Sequence, residues 1–532
     1  MDEKMDAMDR ISDLPEFIMQ HILSLLTGKE AAKTSLLSKK WNCVWSSFPI
    51  LNFEQAHYFN INGGYIMPDT SPDNQKRVEN FMNIVDQSLS RFHRFHEHKL
   101  QLQKFKLDMT LVDFKLASLV DKWIELALEH DAKEMDLLVR TEKNTWYSLP
   151  ETIFVAKSTN ACELEQPISW RTVKFYSLQK LWLRDISVNE EIIQDIIQTF
   201  PFITDFGIVE CHGLKNLVIS NLPKLCKVEV ALIEQEVESV KVEAANLQYF
   251  GFVYSRQCLL DITACQNLKN LYLRDLNITD QYLHSHISRF PHLETLHVVC
   301  CKMLESVKIS APRLGGLLID ECPNLLEVEI DTPNLSSFRY HSFRNVIPKI
   351  FSKNAPCPFE LTFALCHNVN TLWFLKLREF LVMSNQRKVL KLLIFCQEVT
   401  FNLEELRGIT LPPPFELELM RVDVRNSALS INYGSLIDGL LWSCRTKILS
   451  LPAGLESQEK CIKLKKLGST WLGLYLGSMA RISSQRLGGL KFGLAWSDHG
   501  LMARSRLSGL DLECLDSGSQ LSGLMAWLDL GS

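Results

Sequence analysis

Two spacings of apolar residues divide this chain. Near the N-terminus the period is helical. Ile18, Ile22, Leu25 and Leu26 fall at i, i+4, i+7 and i+8, and Leu37, Trp41, Val44 and Trp45 repeat that spacing. Pro15 can open the first helix because the N–H it lacks would be unpaired in a first turn anyway, and Glu16 suits the positive end of the dipole. Thr27-Gly28 ends that helix. Thr27 with Glu30 also has the capping-box spacing for a second start, leading into Ala31, Ala32 and Ser35, and Pro49 stops the third helix. The pattern predicts three short helices within residues 12–45. A unit of this size buries too little surface to be stable alone. Either another protein completes its apolar surface or it docks on the rest of the chain as an N-terminal cap, and periodicity leaves both open.

A polar passage from Asn60 to Asp73 then reads as part of a linker spanning 54–75. Beyond it, residues 76–95 and 114–130 carry helical stripes, and between them Leu102-x-x-Phe105-x-Leu107 reads as a short strand. That pattern recurs at Leu178/Leu181/Leu183, Leu214/Leu217/Ile219, Leu225/Val228/Val230, Leu247/Phe250/Phe252 and Leu268/Leu271/Leu273. It continues at Leu293/Leu296/Val298, Leu304/Val307/Ile309, Leu314/Leu317/Ile319, Leu325/Val328/Ile330 and Leu335/Phe338/Tyr340. It is L-x-x-L-x-L, the strand signature of leucine-rich repeats, whose units are stable only when stacked. The run from Leu178 also matches the run from Leu268, offset by 90 residues. From Leu293 to Leu335 the motifs fall 10 or 11 residues apart, too close for a return helix, so alternate motifs are expected on opposite faces. Where the interval is longer, helices return at Ile192–Phe200 and Leu283–Phe290. Cys211, Cys301 and Cys322 stand three residues after the last aliphatic of a motif, where the repeat takes a structural Asn or Cys.

The expected fold class is α+β: an N-terminal three-helix unit, an α/β repeat solenoid over 76–345, a repeat cap over 346–425 and a low-order tail over 434–532. The cap consists of a helix and strands within 372–424, with Pro412–Pro414 as a stiff turn. The tail is set apart by composition. It holds 14 of the 23 glycines, and its segments sustain neither a strand nor a helix period.

Composition narrows the function. An apolar fraction of 46% and a charged fraction of 22% are those of a soluble globular protein. The fifteen cysteines form no C-x-x-C pair and the first ten residues are too polar for a secretory signal, so the expected location is the cytoplasm and/or nucleus. No apolar run is long enough to span a bilayer, so no membrane association is expected. A net charge of −5 without a basic block argues against nucleic acid. P-loop, G-x-G-x-x-G, H-E-x-x-H and G-x-S-x-G signatures are absent, and no catalytic, cofactor-binding or metal residue is expected. His93, His96 and His98 lack a nearby fourth ligand and read as a solvated helix end. Asn277-Ile278-Thr279 fits a glycosylation sequon that a cytosolic chain would not use.

The string DRISDLPEFIMQHILSLL (residues 9–26), then TSLLSKKWNCVW (34–45) and Pro49, Leu51 and Phe53, resembles the plant F-box, here residues 9–53. With the repeats behind it and an ending similar to the FBD-like C-terminal region, the chain resembles a plant F-box/leucine-rich-repeat protein. The resemblance implies a non-enzymatic substrate-recognition subunit of an SCF-type (cullin-RING) ubiquitin ligase. Its F-box would bind a Skp-type adaptor and its repeats an unknown protein substrate. Carried over by position, Leu14, Pro15, Ile18, Ile22, Leu25, Ser35, Leu36, Lys39 and Trp41 are the adaptor-binding candidates. Lys40 stands where Arg is common and Ala32 where a larger aliphatic is common. The other readings are a scaffold not engaged with a ligase, and a small-molecule-sensing F-box receptor. The latter would need a concentrated basic and aromatic pocket, which the linear sequence does not display.

Overall fold

A computed structural model describes most of residues 11–59, 72–95, 101–111, 116–149 and 177–452, with short strands thereafter. The chain divides into two compact units, Met1–Tyr272 and Leu273–Ser532.

In the first unit three helices come at once: α1 (Glu16–Ser24), α2 (Gly28–Thr34) and α3 (Lys39–Ser46). They are followed by β1 (Ile50–Glu54), α4 (Gln55–Tyr58), α5 (Pro72–Phe95), β2 (Lys104–Thr110), α6 (Ala117–Glu129) and β3 (Glu134–Arg140). Then come β4 (Lys180–Arg184), α7 (Glu190–Thr199), β5 (Asp205–Val209) and β6 (Asn216–Ile219). The unit continues with β7 (Lys227–Ala231), β8 (Ser239–Val242), β9 (Tyr249–Val253) and β10 (Leu259–Asp261); the boundary falls inside β11 (Asn270–Arg274). A parallel ladder runs β1-β2-β3-β4-β5-β7-β9, and a second one runs β6-β8-β10. Part of the expected linker is therefore structure. β1 is the first rung of the ladder, and buried Gln55 accepts the Thr110 N–H through Oε1 at 2.8 Å.

The second unit contains α8 (Asp280–Ile287), β12 (Thr295–Val299), β13 (Ser306–Ser310), β14 (Gly316–Asp320), β15 (Glu327–Asp331), β16 (Ser337–Ser342) and β17 (Lys349–Ser352). Here the alternation expected from the 10-to-11-residue spacing is found. β12-β14-β16 form one parallel ladder and β13-β15-β17 another, so one repeat of about 21 residues carries two strands. The first ladder gains parallel strands at Phe359–Leu365, Lys388–Ile394, Phe415–Val424 and Cys444–Pro452, around a helix at Thr371–Val382. Order also runs past the boundary expected at Gly434. A helix, Tyr433–Ser443, buries Leu436 and Leu440 at i and i+4 and leads directly into the Cys444 strand. Pro412–Pro414, His96, His98 and most of the chain beyond residue 473 lie outside the described residues.

All three apolar positions of each repeat motif are buried, none above 3% exposure. Side chains stitch neighbouring repeats together. Asn246 and Asn267 in the first unit donate Nδ2 to Pro223 O and Ala245 O, and Asn324 and Asn334 in the second donate to Lys302 O and Pro312 O, at 2.7–2.8 Å. Each meets a carbonyl 22 or 23 residues earlier in the chain, so these exposed side chains link one repeat to the next. The structural reading of Cys211, Cys301 and Cys322 agrees with their burial, and the Cys211 thiol donates to Leu183 O at 3.3 Å.

Candidate functional site

The three N-terminal helices close on a core of Met19, Leu23, Ala31, Trp41, Val44 and Phe48, with Leu14, Ile22, Leu26, Trp45 and Ile50 packed against it. Local signals place them. The Thr27 hydroxyl accepts from Glu30 N while the Glu30 carboxylate accepts from Thr27 N, the reciprocal capping box; the Glu30 carboxyl is held below its ordinary value chiefly by that backbone hydrogen bond. Ser38 caps α3 by accepting from Trp41 N. Lys40 donates Nζ to Leu14 O at 2.7 Å, tying the third helix to the start of the first. Pro15 is the N-cap of α1 rather than its first helical residue.

This core redistributes the adaptor-binding candidates. Trp41 is buried and belongs to the core. Leu14, Ile18, Ile22 and Ser35 are half-buried, and Pro15, Leu25, Leu36 and Lys39 are exposed. In α1 the fully buried stripe is displaced by one position, with Ile22 and Leu26 still packed against the core, whereas the second stripe buries Trp41 and Val44 as expected. Met19 and Leu23 face inward, while Leu25 and Leu37 are 73% and 59% exposed. Phe17 at 69% and Leu36 at 85% complete a set of large apolar side chains that the unit's own core does not use. Sequence reasoning missed the exposure of Phe17 and Leu37; the available signal was an aromatic two positions before the buried Met19 of α1.

The helices are seated on the repeat body of the same unit. Gly28 approaches the β1 backbone so closely that a Cβ there would stand 2.3 Å from Asn52 O, and Lys29 donates Nζ to Tyr58 O at 2.8 Å. The Arg91 guanidinium of α5 lies 4.4 Å over the Trp45 ring.

On the non-core face of the main ladder, side chains from successive strands meet. Lys106–Glu54, Arg140–Asp108, Lys180–Glu134 and Arg184–Asp136 pair at 2.6–3.2 Å. Burial raises the Asp136 carboxyl above its ordinary value, with Arg184 opposing the shift. Next to these pairs Trp182 lies flat over Gly207, where a Cβ would stand 2.2 Å from its ring. Lys227 sits 5.1 Å from the Trp182 ring and 4.8 Å from the Tyr249 ring, and Arg184 sits 5.1 Å from Trp182. Burial pushes the Tyr249 hydroxyl up to about 12. The strands gather on this face two rings and two cations that the sequence scatters over 182–249, with Arg184 also paired to Asp136 and Lys227 to Glu229. Such a face can bind a partner through ring surfaces, with cations and carboxylates setting its register.

Among the described residues one group of metal-ligating side chains converges, Asp320, Glu321 and His341 in the second unit. No helix among them is long and apolar enough to cross a membrane.

Two family models match the chain. A family model described as the F-box domain matches residues 11–53, and one described as "At1g61320/AtMIF1, LRR domain" matches 95–264 and 257–369. In Arabidopsis thaliana, F-box/LRR-repeat protein At5g02910 is 24% identical over 367 residues, covering 64% of this chain and 74% of the relative. Putative F-box/LRR-repeat protein At5g41840 is 28% identical over 224 residues, 40% of this chain and 37% of the relative. F-box/LRR-repeat protein At3g59200 is 28% identical over 271 residues, 46% of each. The match thus spans less than half of the latter two relatives.

Proposed function

The chain belongs to the plant F-box/leucine-rich-repeat proteins, and from that premise we propose that it is the substrate-recognition subunit of an SCF-type (cullin-RING) E3 ubiquitin ligase. The observation that carries the proposal is the exposure of Phe17, Leu25, Leu36 and Leu37 on a three-helix unit whose own core is already complete. Exposed apolar groups of this size on a small unit are what a partner surface buries, and each leucine contributes about 1.5–3 kcal/mol when covered. We assign that partner as the Skp-type adaptor. In this reading the chain makes and breaks no bonds. It works in the cytoplasm or nucleus by holding a target protein beside the ligase's loaded conjugating enzyme, which raises the effective concentration of a target lysine. Target recognition falls to the ladder face bearing Trp182, Lys227 and Tyr249. The seating of the helices on β1 and α5 supports a positional role, since both surfaces then belong to one compact unit.

The test is reconstitution of the full chain with a plant Skp-type adaptor, a cullin and its RING subunit. Co-elution as one complex and ubiquitin transfer onto the chain in the presence of E1 and E2 are the expected results. Failure to co-elute with the adaptor would overturn the proposal.

A further inference from the structure

We propose that the seam between the three-helix unit and the repeat body is a binding site for ordered water, which bridges Ser46 of α3 to Asn52 of β1. A cavity of about 40 Å³ lies there, wholly within the first unit. Gly28 of α2, Trp45 and Ser46 of α3, Asn52 of β1, Tyr58 of α4 and Arg91 of α5 all line it. The backbones already touch at Gly28, where a Cβ would stand 2.3 Å from Asn52 O and 3.2 Å from the Tyr58 hydroxyl. The helices therefore cannot settle closer to β1 and close the remaining space themselves.

Two polar atoms mark the cavity as a site. Ser46 is only 5% exposed and Asn52 is half-buried, and buried Ser46 Oγ and Asn52 Oδ1 meet no hydrogen-bonding group among the described residues. A bare buried oxygen carries its full desolvation cost, which is why such atoms in folded proteins are paired with protein or with ordered water. The Asn52 amide is oriented by its other end. The Glu54 carboxylate, which can only accept, takes an Asn52 N–H, so Oδ1 remains an acceptor that requires a donor. Burial pushes the Tyr58 hydroxyl up to about 12, which keeps it protonated, and the Arg91 guanidinium lies 4.4 Å over the Trp45 ring.

Size and polarity select water as the ligand. A water needs about 10–15 Å³ and two to four polar partners, whereas a cavity that takes up a benzene ring measures about 150 Å³. A fully ionised anion would suit the donors of Arg91 and Tyr58 but brings no proton for Asn52 Oδ1. Water both donates and accepts, so it can meet Ser46 Oγ, Asn52 Oδ1 and the Tyr58 hydroxyl together. It would tie the third helix to the first rung of the ladder, and this inference is independent of the ligase reading.

The test is a high-resolution crystal structure of the full chain, joined to a melting cycle on wild type, Ser46→Ala, Asn52→Leu and the double variant. Ordered water within about 2.7–3.2 Å of both Ser46 Oγ and Asn52 Oδ1 is expected in the wild type. Because the same water serves both groups, the melting shift of the double variant should differ from the sum of the single shifts by roughly 2 °C, and any helix or strand preference of the new side chains cancels in that difference. The cycle needs no crystals and decides the matter on its own should none grow. A cavity without water, a protein group bonded to both atoms, an ion or organic molecule in place of water, or additive melting shifts would overturn the site.

Discussion

Replacing Gly28 with alanine sets two effects against each other. Alanine is the better helix former by up to about 1 kcal/mol in a helix interior, and less at a first position. Against this, the new methyl would stand 2.3 Å from Asn52 O, a backbone atom fixed in the β1–β2 pairing, and 3.2 Å from the Tyr58 hydroxyl. An ordinary carbon–oxygen contact requires roughly 1 Å more. The start of α2 must lift, stretching the Lys29–Tyr58 hydrogen bond and loosening buried Ala31. Overpacking of this kind costs about 1–3 kcal/mol, so the clash should win by about 1–2 kcal/mol. The built-in control is Gly315→Ala, where the nearest heavy atom outside the flanking residues lies at 3.7 Å and the change should be neutral or slightly stabilising. The assay is thermal unfolding of the full chain, with hydrogen exchange of residues 50–54 as the local readout. Gly28→Ala is expected to melt lower and to exchange faster over β1. A Gly28→Ala protein indistinguishable from Gly315→Ala would refute the close approach and the rigid seating built on it.

Three further outcomes follow from the same geometry. Trp41→Ala empties a core position and should lower stability by about 3–5 kcal/mol, whereas Leu36→Ala at 85% exposure should stay within about 0.5 kcal/mol; equal melting shifts would contradict the division between core and surface. Gly207→Ala should cost about 1 kcal/mol alone and nothing in a Trp182→Ala background, a coupling of about 1 kcal/mol that additive effects would rule out. Burial pushes the Glu54 carboxyl up, but the Lys106 ammonium at 2.9 Å overrides it and holds the group below its ordinary value of 4.5. The stabilisation is therefore present above pH 4.5 and is lost as pH falls through the lower folded value, so Lys106→Met should flatten the acid limb of the stability profile; an unchanged slope would count against the pair.

The repeat body was legible because its signal is redundant. Each L-x-x-L-x-L fixes three buried positions, and the 10-to-11-residue spacing from Leu293 to Leu335 requires two ladders. The phase of α1 was not legible. Nine residues give two and a half turns, and with Ile, Met, Leu and Phe on most sides the period alone could not choose Met19 and Leu23 over Ile18 and Leu25. Gly28 read as punctuation although its role is close approach to a backbone. The Trp182, Lys227 and Tyr249 cluster and the Asp320, Glu321 and His341 group were hidden for a shared reason. A ladder joins positions some 21 or more residues apart, and no short motif reports that proximity. Beyond Gly434 the glycine content masked a short apolar helix, whose Leu436 and Leu440 at i, i+4 were the available sign.

Docking of a Skp-type adaptor on the exposed apolar side chains of the three-helix unit is tested by the adaptor affinity of the full chain against Leu25→Asp/Leu36→Asp. Two leucines worth about 1.5–3 kcal/mol each predict wild-type binding and a loss of about a hundredfold or more in the double variant, with the melting temperature unchanged because both side chains are exposed. No wild-type binding, or a double variant that binds equally well, would rule out adaptor docking through these side chains.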